Sequence, residues 1–557
     1  MHKLLPVFLV ALALFACAPQ DLHDDVVTIS VVGINDIHGQ LNASETSGGL
    51  VGIASHVEAL RAARADDGGV VLVVDAGDMW QGTLESNLVE GASMVEAYNA
   101  LGVVAAAIGN HEFDFGPVGP KPVPMTADDD PRGALKQRAS EADFPLLAAN
   151  LIDDETGRPV DWNNVAATMI DIQAGVRVGI IGVTTRDSLR TTIAANTGGL
   201  SIAPLAETIS EMAAGARGAS ADVIIVIAHA GGRCQNRGDN ASRCDLGGEL
   251  ADLAQALEPG LVDHIFGGHV GNSMAEVING ISVSINRGKA ESFGRVDFVL
   301  ERDTGKLLER RVFPPQANPV QPPATYEGRP VVPNESLAAV ARESAALAAE
   351  LEGKPVGVEL AGPFPLTPDM NSALFGLVTT ALFDSFDVDV AMHNVRGGLR
   401  AGLPSGPLTF GDLYEMFPFD NFVTRLDVSG AELRSVIAAQ SRSNRPVGFA
   451  GMRVFVDCGD QRMYVRMLRP DGGEIHDDEQ LTLLVNDYMA LGGDAILAPI
   501  MPPGGFAVGY ELPRTRDVIV DWLRSRGGEL HPADWRSDDE PMWSLGDGVA
   551  RGCTLGG

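Results

Sequence analysis

The polar hexapeptide Gly109-Asn110-His111-Glu112-Phe113-Asp114 follows an apolar run at residues 103–108. The run predicts a short buried strand, so an amide, an imidazole and a carboxylate emerge together at one strand end. Polar groups in such a place cost free energy unless they are bonded. A capped turn could also use Asn and Asp, and the hexapeptide alone does not exclude that alternative. The residues at the ends of the other strands therefore decide between a functional site and a capped turn.

Four other apolar runs of the chain also end in polar residues. The runs at 26–34, 70–74, 222–228 and 262–266 lead to Asp36 with His38, to Asp78, to His229 and to His269. Strands of this kind alternating with helical patterns predict an α/β fold, with a largely buried sheet and helices outside it. Ligands of such sheets bind beyond the carboxyl ends of the strands, which is where all these polar groups fall.

The residue types at these strand ends favour metal ions. Two carboxylates, an amide oxygen and several imidazoles, without thiolates, suit a pair of Zn, Mn, Co or Fe ions better than a structural zinc. A carboxylate that bridges two ions about 3.5–4 Å apart is the arrangement used for in-line phosphoryl displacement. A single histidine is more often a bonded core residue than a ligand, but five strand ends that agree favour a metal site.

Length and charge bound the answer further. At 557 residues the chain is too long for one core, so we expect two large domains or more. The apolar fraction of 45% supplies ample surface to bury. A formal net charge of −33 at pH 7 repels nucleic-acid backbones, so no nucleic-acid partner is expected. A small anionic substrate fits this charge if metal ions or local cations invert the field at the site.

The N-terminus predicts export. Residues 4–16 form an apolar run that is too short to span a bilayer, and we interpret residues 1–17 as a secretory signal. The run ends Leu14-Phe15-Ala16-Cys17, which resembles the bacterial lipobox, whose cysteine carries the lipid of the mature protein. We expect a periplasmic protein, or one anchored to the outer membrane through Cys17 alone. Ordinary cleavage near Ala18 is the alternative.

Four further cysteines follow, namely Cys234, Cys244, Cys458 and Cys553. An even number in an exported protein predicts two disulfides. Proximity in the sequence favours a bond between Cys234 and Cys244, which leaves Cys458 for Cys553.

The motifs together resemble the calcineurin-like metallophosphoesterases, and more narrowly the family of 5′-nucleotidases and periplasmic UDP-sugar hydrolases. The resemblance rests on Asp36-x-His38, Gly77-Asp78, Gly109-Asn110-His111-Glu112-x-Asp114, His229 and Gly267-Gly268-His269. It implies that Asp78 bridges two divalent ions. It further implies that one ion is completed by Asp36 and His38 and the other by Asn110, His229 and His269. His111 and Asp114 match the catalytic pair, in which the histidine assists at the phosphate and the aspartate orients it.

One position departs from the family pattern. The family motif continues Gly-Gly-His-x-His or Gly-Gly-His-x-Gln, and its last residue binds the first ion. This chain has Gly267-Gly268-His269-Val270-Gly271, and Gly271 has no side chain to offer. Asn272 or water could fill the position. We therefore expect the first ion to be held more weakly than the second.

The second half of the chain begins after a proline-rich stretch. Residues 313–333 contain seven prolines, and residues 336–351 predict a helix capped by Asn334 or Ser336. We expect a metallophosphoesterase domain at 26–312, a linker and linking helix at 313–353, and an α/β domain at 354–545.

The second half resembles the C-terminal substrate-binding domain of the same family. The matching segments are Arg396-Gly397-Gly398-Leu399-Arg400, Phe417-Pro418-Phe419 and Asn486-Asp487-Tyr488-Met489-Ala490-Leu491-Gly492-Gly493-Asp494. They imply that Phe419 and Tyr488 stack on a base and that Asp494 contacts the ribose. Asn394, Arg396 and Arg400 complete the predicted substrate site. The family helix that carries another substrate arginine should lie near residues 365–382, where this chain has none. The alternative for Phe419 and Tyr488 is a core position.

The resemblance implies an N-terminal four-layer metallophosphoesterase β-sandwich flanked by helices, a linking helix and a C-terminal α/β substrate-binding domain. The predicted function is removal of phosphate from nucleoside 5′-monophosphates by an exported dimetal enzyme, with UDP-sugars and cyclic nucleotides as close variants. Two alternatives remain at this point. One is a metallophosphatase for a non-nucleotide ester, and the other is a surface lipoprotein that binds nucleotides without turnover.

Overall fold

The computed structural model describes residues 25–235, 245–394, 397–442, 447–459, 462–503, 505–536, 540–546 and 554–555. The predicted signal with Cys17, the predicted substrate residue Arg396, and Cys244 and Cys553 lie outside these ranges. Within the described ranges, every helix is too short or too polar to cross a bilayer.

The N-terminal half contains two large sheets. The first has seven strands, which in spatial order are Leu307–Ala317, Ser292–Glu301, Val26–Ile34, Val70–Asp75, Val103–Ala107, Leu146–Leu147 and Val165–Ala166. The second has six strands, in the order Met274–Ile278, Ile281–Ile285, His264–Gly267, Val223–His229, Val176–Thr184 and Thr168–Gln173. The strands predicted at all five polar strand ends are present, and neighbours among them run parallel. Within each sheet their carboxyl ends therefore lie at one edge, and the contact between Asp78 and His229 joins the two edges.

The two sheets face each other, and helices cover their outer faces. Val31, Val74, Ile225 and Phe298 belong to the fully buried cluster between the sheets. The helices of this half are Gly49–Asp67, Leu84–Asn87, Ala92–Leu101, Gly133–Glu141, Leu205–Gly218 and Glu249–Ala256. This stacking of helices, sheet, sheet and helices is the four-layer arrangement expected from the sequence.

The strand Leu307–Ala317 corrects the predicted start of the linker. It pairs with Ser292–Glu301 as far as Ala317, so the sheet continues past the predicted domain boundary at residue 312. Two of the prolines, Pro314 and Pro315, therefore lie in a strand. They are tolerated because the strand is at the edge of the sheet and its pairing is irregular between Phe313 and Gln316, where neither proline is paired.

The predicted linking helix is present as Glu335–Glu352. Its N-cap is Asn334, whose side chain accepts a hydrogen bond from the backbone N–H of Leu337, and not the alternative Ser336. Leu337 packs into the helical layer of the N-terminal half. Near the other end of the helix, Ala348 shares a small buried cluster with Leu84 and Tyr414, so the helix touches both halves of the chain.

The C-terminal half is a second α/β unit. Its central sheet has the order Val423–Ser429, Gln480–Asn486, Val390–Asn394 and Val447–Ala450. Two smaller sheets contain Gly406–Thr409, Pro355–Leu360 and Gly528–Leu530, and Trp543–Leu545, Arg453–Gly459, Arg462–Leu468 and Thr554–Leu555. Its helices are Ala373–Asp384, Phe410–Met416, Gly430–Gln440, Asp487–Ala490 and Thr515–Arg526. Asn394 and Asn486 end two parallel strands side by side, which brings the predicted substrate segments to one edge.

Short strands complete the chain. One small sheet is formed by Leu200–Ile202, Leu151–Asp153 and Arg158–Pro159, and two hairpins pair Arg233–Gln235 with Asp245–Gly247 and Thr325–Tyr326 with Arg329–Pro330.

Candidate metal centre and substrate cavity

The first group of predicted ligands lies where the strands Val26–Ile34 and Val70–Asp75 end. The Nε2 atom of His38 is 3.9 Å from a carboxylate oxygen of Asp36 and 3.9 Å from one of Asp78. The Nδ1 atom of His38 is 2.9 Å from the backbone carbonyl of Gln81. A carbonyl oxygen can only accept, so Nδ1 carries the proton and Nε2 offers a lone pair to the site.

The second group approaches the same carboxylate oxygen of Asp78, Oδ2, from the side of His229. The Nε2 atom of His229 is 3.2 Å from the Asp78 carboxylate and 3.0 Å from Oδ1 of Asn110. The Nδ1 atom of His269 is 3.0 Å from the same Asn110 oxygen and 3.2 Å from Nε2 of His229. Four potential ligand atoms thus converge on one point, and Asp78 belongs to both groups.

Hydrogen bonds to backbone carbonyl groups orient the side chains of this second group. The Nδ1 atom of His229 is 2.9 Å from the backbone carbonyl of Ala76, which directs Nε2 inward. The amide nitrogen of Asn110 donates to the backbone carbonyl of Thr191 at 2.9 Å, so its oxygen turns to the site. Partners of this kind commonly fix the ligands of a metal ion.

The charges of the site fit divalent cations. Burial lowers the pKa values of both His38 and His269 to about 3, so both rings are neutral, the form that binds metal. Burial also opposes protonation of His229, yet the carboxylate of Asp78 outweighs it and raises the pKa of His229 to about 10. The buried carboxylates therefore require positive charge beside them, and the oxygen and nitrogen donors present are those that Zn, Mn, Co and Fe accept.

The backbone at the site is unusual. Four of the six predicted ligands have left-handed backbone, with φ of 50° at Asp36, 52° at His38, 60° at Asp78 and 69° at His269. Left-handed non-glycine residues are uncommon and cluster where the surrounding structure imposes them for function. Gly109 allows a further close approach, since a Cβ atom there would lie 2.2 Å from a carboxylate oxygen of Asp78.

His111 lies beside the first group, outside the two convergent sets. Its Nδ1 atom is 2.6 Å from the carboxylate of Asp114. Burial lowers the pKa of His111, but the carboxylates of Asp114 and Asp78 outweigh it and raise that pKa above its usual value. The other oxygen of Asp114 accepts a hydrogen bond from the hydroxyl of Thr192 at 2.6 Å. Sequence analysis did not single out Thr192, because a threonine in a loop carries no motif.

Glu112 has a role that sequence analysis also missed. Its buried carboxylate accepts hydrogen bonds from the backbone N–H groups of Gly109, Asp78 and Met79, at 2.6, 3.0 and 2.8 Å. One side chain therefore ties the loop after Val70–Asp75 to the loop after Val103–Ala107. Its place in the hexapeptide was the one indication of a role at the site. The sequence does not show which backbone groups a glutamate side chain binds.

A cavity of about 660 Å³ joins these residues to the C-terminal half. The predicted ligands Asp36, His38, Asp78, Asn110 and His269 and the pair His111 and Asp114 line it from one side. The predicted substrate residues Asn394, Arg400, Phe419, Tyr488 and Asp494 line it from the other. His229 is buried beneath the floor, with none of its surface exposed. Asn421, which sequence analysis did not name, also lines the cavity.

Two C-terminal residues reach His111 directly. Nη2 of Arg400 is 3.0 Å from Nε2 of His111. The ring of Phe419 is stacked near that of His111, with centroids 5.9 Å apart and an angle of 27° between the planes. Phe419 is only partly buried, as a ring available for stacking must be.

Tyr488 and Asp494 lie in two successive short helical turns, Asp487–Ala490 and Gly493–Ala495. A Cβ atom at Gly493 would lie 2.4 Å from the Tyr488 ring, so glycine there lets the ring lie against the backbone. Asp494 follows with φ of 51°, another left-handed residue, and faces the same cavity.

The position of Gly271 is open in the structure. A Cβ atom there would meet no atom within 4 Å, and both Gly271 and Asn272 line the cavity. Space for a side chain is therefore present beside the predicted first ion.

The cysteines within the described ranges, Cys234 and Cys458, are both disulfide-bonded. Cys234 lies in the hairpin that follows His229. The pairings with Cys244 and Cys553 remain predictions.

Comparisons with known proteins place these features in two families of domains. The family described as calcineurin-like phosphoesterase matches residues 29–272. The family described as the 5′-nucleotidase C-terminal domain matches residues 366–499. The first range contains all six predicted ligands, and the second contains the five described substrate residues.

Individual proteins agree with this division. A Bacillus subtilis protein named endonuclease YhcR is 27% identical over 518 residues, which cover 90% of this chain and 40% of that protein. This chain thus spans less than half the length of that relative. A 5′-nucleotidase of Vibrio parahaemolyticus is 25% identical over 566 residues, covering 92% of each chain. The crystal structure of a 5′-nucleotidase precursor from Thermus thermophilus has the same fold, with a TM-score of 0.69, 22% identity and coverage of 93% and 99% of the two chains.

The order of the two domains, their coverage of most of the chain and the shared fold lead to one conclusion. The chain combines a calcineurin-like phosphoesterase domain with a 5′-nucleotidase C-terminal domain, and it is similar in sequence and fold to 5′-nucleotidases.

Proposed function

We propose that this protein removes phosphate from nucleoside 5′-monophosphates with the help of two divalent metal ions. One observation carries the proposal. A single cavity is lined on one side by two groups of ligand atoms that share Asp78, and on the other by Phe419, Tyr488 and Asp494. Phosphate chemistry and recognition of a base and a sugar can therefore act on one small molecule.

The metal ligands follow from the two groups. Asp36, His38 and Asp78 would hold one ion, and Asp78, Asn110, His229 and His269 would hold the other. Zn, Mn, Co or Fe would supply Lewis acidity to the phosphate and an activated water for the displacement. Asp78 would be shared by the two ions, because its Oδ2 atom lies near Nε2 of both His38 and His229, while its Oδ1 atom accepts the backbone N–H of His111.

His111 and Asp114 act on the phosphate itself. The bond of Asp114 to Nδ1 leaves Nε2 of His111 facing the cavity, where the protonated ring can donate to a phosphate oxygen or to the leaving oxygen. Arg400 contacts the same Nε2 atom and presents a guanidinium beside it, suited to a phosphate. His111 is thus contacted by Asp114 from its own domain and by Arg400 from the other domain.

The C-terminal half binds the nucleoside. The base would stack between Phe419 and Tyr488, the ribose hydroxyls would bond Asp494, and Asn394, Arg396 and Arg400 would bind near the phosphate. UDP-sugars and cyclic nucleotides are the nearest variants, because both present a base and an adjacent phosphate.

Each of the two alternative functions is supported by one observation. The helix Ala373–Asp384 has no arginine, which favours a non-nucleotide phosphoester as substrate. The missing side chain at Gly271 favours a nucleotide-binding surface protein without turnover. We rank both below a nucleotidase, because the aromatic and ribose residues open into the cavity that the predicted ligands line.

We further propose that the protein is exported, with a domain boundary near residue 317 and a linking helix before the domain at 354–545. The apolar N-terminal run with Cys17 and the disulfide-bonded Cys234 and Cys458 support export, since disulfides persist in oxidising compartments.

A substrate panel tests the proposal. Purified protein would be loaded with Mn, Zn or Co and assayed for phosphate release from nucleoside monophosphates, UDP-glucose, a cyclic nucleotide, sugar phosphates and p-nitrophenyl phosphate. The proposal expects the highest kcat/KM with a nucleoside monophosphate. A sugar phosphate that is turned over better would favour the non-nucleotide alternative, and binding without phosphate release would favour the surface protein.

A further inference from the structure

The loop at residues 417–420 carries the Phe419 ring. Two side chains from other parts of the chain hold this loop through hydrogen bonds to its backbone carbonyls. Nη1 of Arg516 donates to the carbonyl oxygens of Phe417 and Phe419, at 3.2 and 3.1 Å. The carbonyl between them, that of Pro418, accepts from Nε2 of Gln81 at 3.1 Å. Three consecutive carbonyls are therefore bonded to side chains from distant parts of the chain, which restricts local opening of the loop.

Arg516 is itself fixed in place. It is 4% exposed and stands at the start of the helix Thr515–Arg526. Its Nη2 atom bonds the carboxylate of Asp420 at 2.5 Å, and its guanidinium carbon lies 4.3 Å from the centre of the Tyr414 ring. A buried charge is costly unless it is paired and hydrogen-bonded, and these contacts meet both conditions.

The Phe419 ring is the part of the loop that reaches the cavity. It stacks near His111 and lies 5.1 Å from the guanidinium carbon of Arg400. Arg516 does not line that cavity. Any effect of Arg516 on a substrate must therefore pass through the loop.

We propose that Arg516 is a positioning residue for the nucleobase: it holds the Phe419 ring where a planar aromatic base can stack on it. This inference rests on the proposed function. A ring that is already in place loses little freedom when the base arrives, so the base binds more tightly than it would to a mobile ring. The guanidinium acts on backbone carbonyls and never on the substrate.

Arg514 supplies a matched control. Its Nη1 atom is 3.3 Å from the same Asp420 carboxylate, and its Nη2 atom donates to the carbonyl of Pro120 at 3.2 Å. It makes no hydrogen bond to Phe417 or Phe419. Removing its side chain therefore takes a positive charge from beside Asp420 without releasing the loop.

The experiment compares KM for a nucleoside monophosphate with KM for p-nitrophenyl phosphate in wild type, Arg516→Met, Arg516→Lys and Arg514→Met. Both Arg516 variants should raise the nucleotide KM relative to the aryl phosphate KM by about five- to tenfold, the scale of one weakened stacking contact. Arg514→Met should leave the ratio unchanged. An unchanged ratio in the Arg516 variants, or an equal loss with both substrates, overturns the inference. If Arg516→Met does not fold, Arg516→Lys decides, since it keeps the charge but has one nitrogen where arginine uses Nη1 for the two carbonyls and Nη2 for Asp420.

A double-mutant cycle separates this inference from the function beneath it. If Arg516 acts only through the ring, adding Arg516→Met to Phe419→Ala should cause no further rise in the nucleotide KM. An additive rise would contradict the positioning role. An unchanged substrate ratio in Phe419→Ala alone would contradict the nucleotidase proposal instead.

Discussion

The Nε2 atom of His111 and the Nη2 atom of Arg400 lie 3.0 Å apart, although the residues belong to different halves of the chain. A guanidinium can only donate, so Nε2 accepts and the proton of the neutral ring is on Nδ1, bonded to Asp114. The contact thus selects one tautomer. It also means that protonating Nε2, or placing a phosphate oxygen against it, must displace Arg400 from this atom.

Replacing His111 tests its role in the reaction. His111→Ala should lower kcat by about 10²–10⁴ while both metals stay bound, because the ring lies beside the ligand groups and not within them. Phosphate release and elemental analysis of the same sample check this. His531→Ala, at a largely exposed histidine far along the chain, is the control. Loss of metal in proportion to activity would make His111 a ligand.

Replacing Asp78 should instead empty the site. Asp78→Asn removes the negative charge of the side chain that belongs to both ligand groups, beside His38 in one and His229 in the other. We expect metal content and activity to fall together. Retention of both ions by a folded Asp78→Asn protein would show that Asp78 does not bridge them.

The open position at Gly271 predicts unequal ions. Dialysed wild type should retain close to one ion and regain activity when Mn or Co is added. Gly271→Gln should tighten the weaker site, because the structure has room for the side chain. Gly271→Ala, which adds a Cβ but no donor, is the control. Two tightly held ions in dialysed wild type would mean that another group, such as Asn272, already fills the position.

The aromatic residues predict recognition of a base. Phe419→Ala should raise the KM of a nucleotide by roughly tenfold or more, since stacking is worth about 1–3 kcal/mol per base. The KM of p-nitrophenyl phosphate should change little, because that substrate has no base. Tyr488→Phe should be nearly silent if the ring stacks and costly if its hydroxyl bonds the substrate. An unchanged ratio of the two KM values would make Phe419 a core residue.

Thr192 predicts a positioning effect on the catalytic pair. Its hydroxyl bonds Asp114, and hydrogen bonds to charged groups contribute about 1.5–3 kcal/mol, so Thr192→Val should lower kcat by about tenfold or more. Thr192→Ser keeps the hydroxyl and should restore most of the rate. Equal losses in both variants would point to packing instead of the hydrogen bond.

The strands and their polar ends could be predicted because each depends on local pattern. An apolar run followed by Asp, Asn or His is visible in the sequence, and parallel strands place such ends at one edge whatever the loops between them. The helix cap at Asn334 could be predicted for the same reason, because it bonds a backbone N–H only three residues further along. The extension of the sheet to Ala317 was missed because proline usually marks a break, and an edge position with irregular pairing, which makes proline acceptable there, depends on the tertiary fold.

Residues that act through the backbone could not be predicted. Glu112 binds three N–H groups, and Arg516 binds two carbonyls that lie about a hundred positions earlier. A backbone group has no identity in the sequence, so no pattern marks its partner. Thr192 is similar, since its bond to Asp114 depends on how two loops meet.

The left-handed backbone at Asp36, His38, Asp78 and His269 has a consequence for how metals enter and leave. Each such residue costs about 1–2 kcal/mol relative to ordinary backbone, and the rest of the fold must supply that free energy. We therefore expect the loops that carry these four residues to keep their shape when the ions leave, unlike a zinc finger, which folds around its metal. A site whose loops keep their shape can exchange one divalent ion for another without unfolding. Which metal it carries is then decided by the supply outside the protein as much as by the ligands themselves.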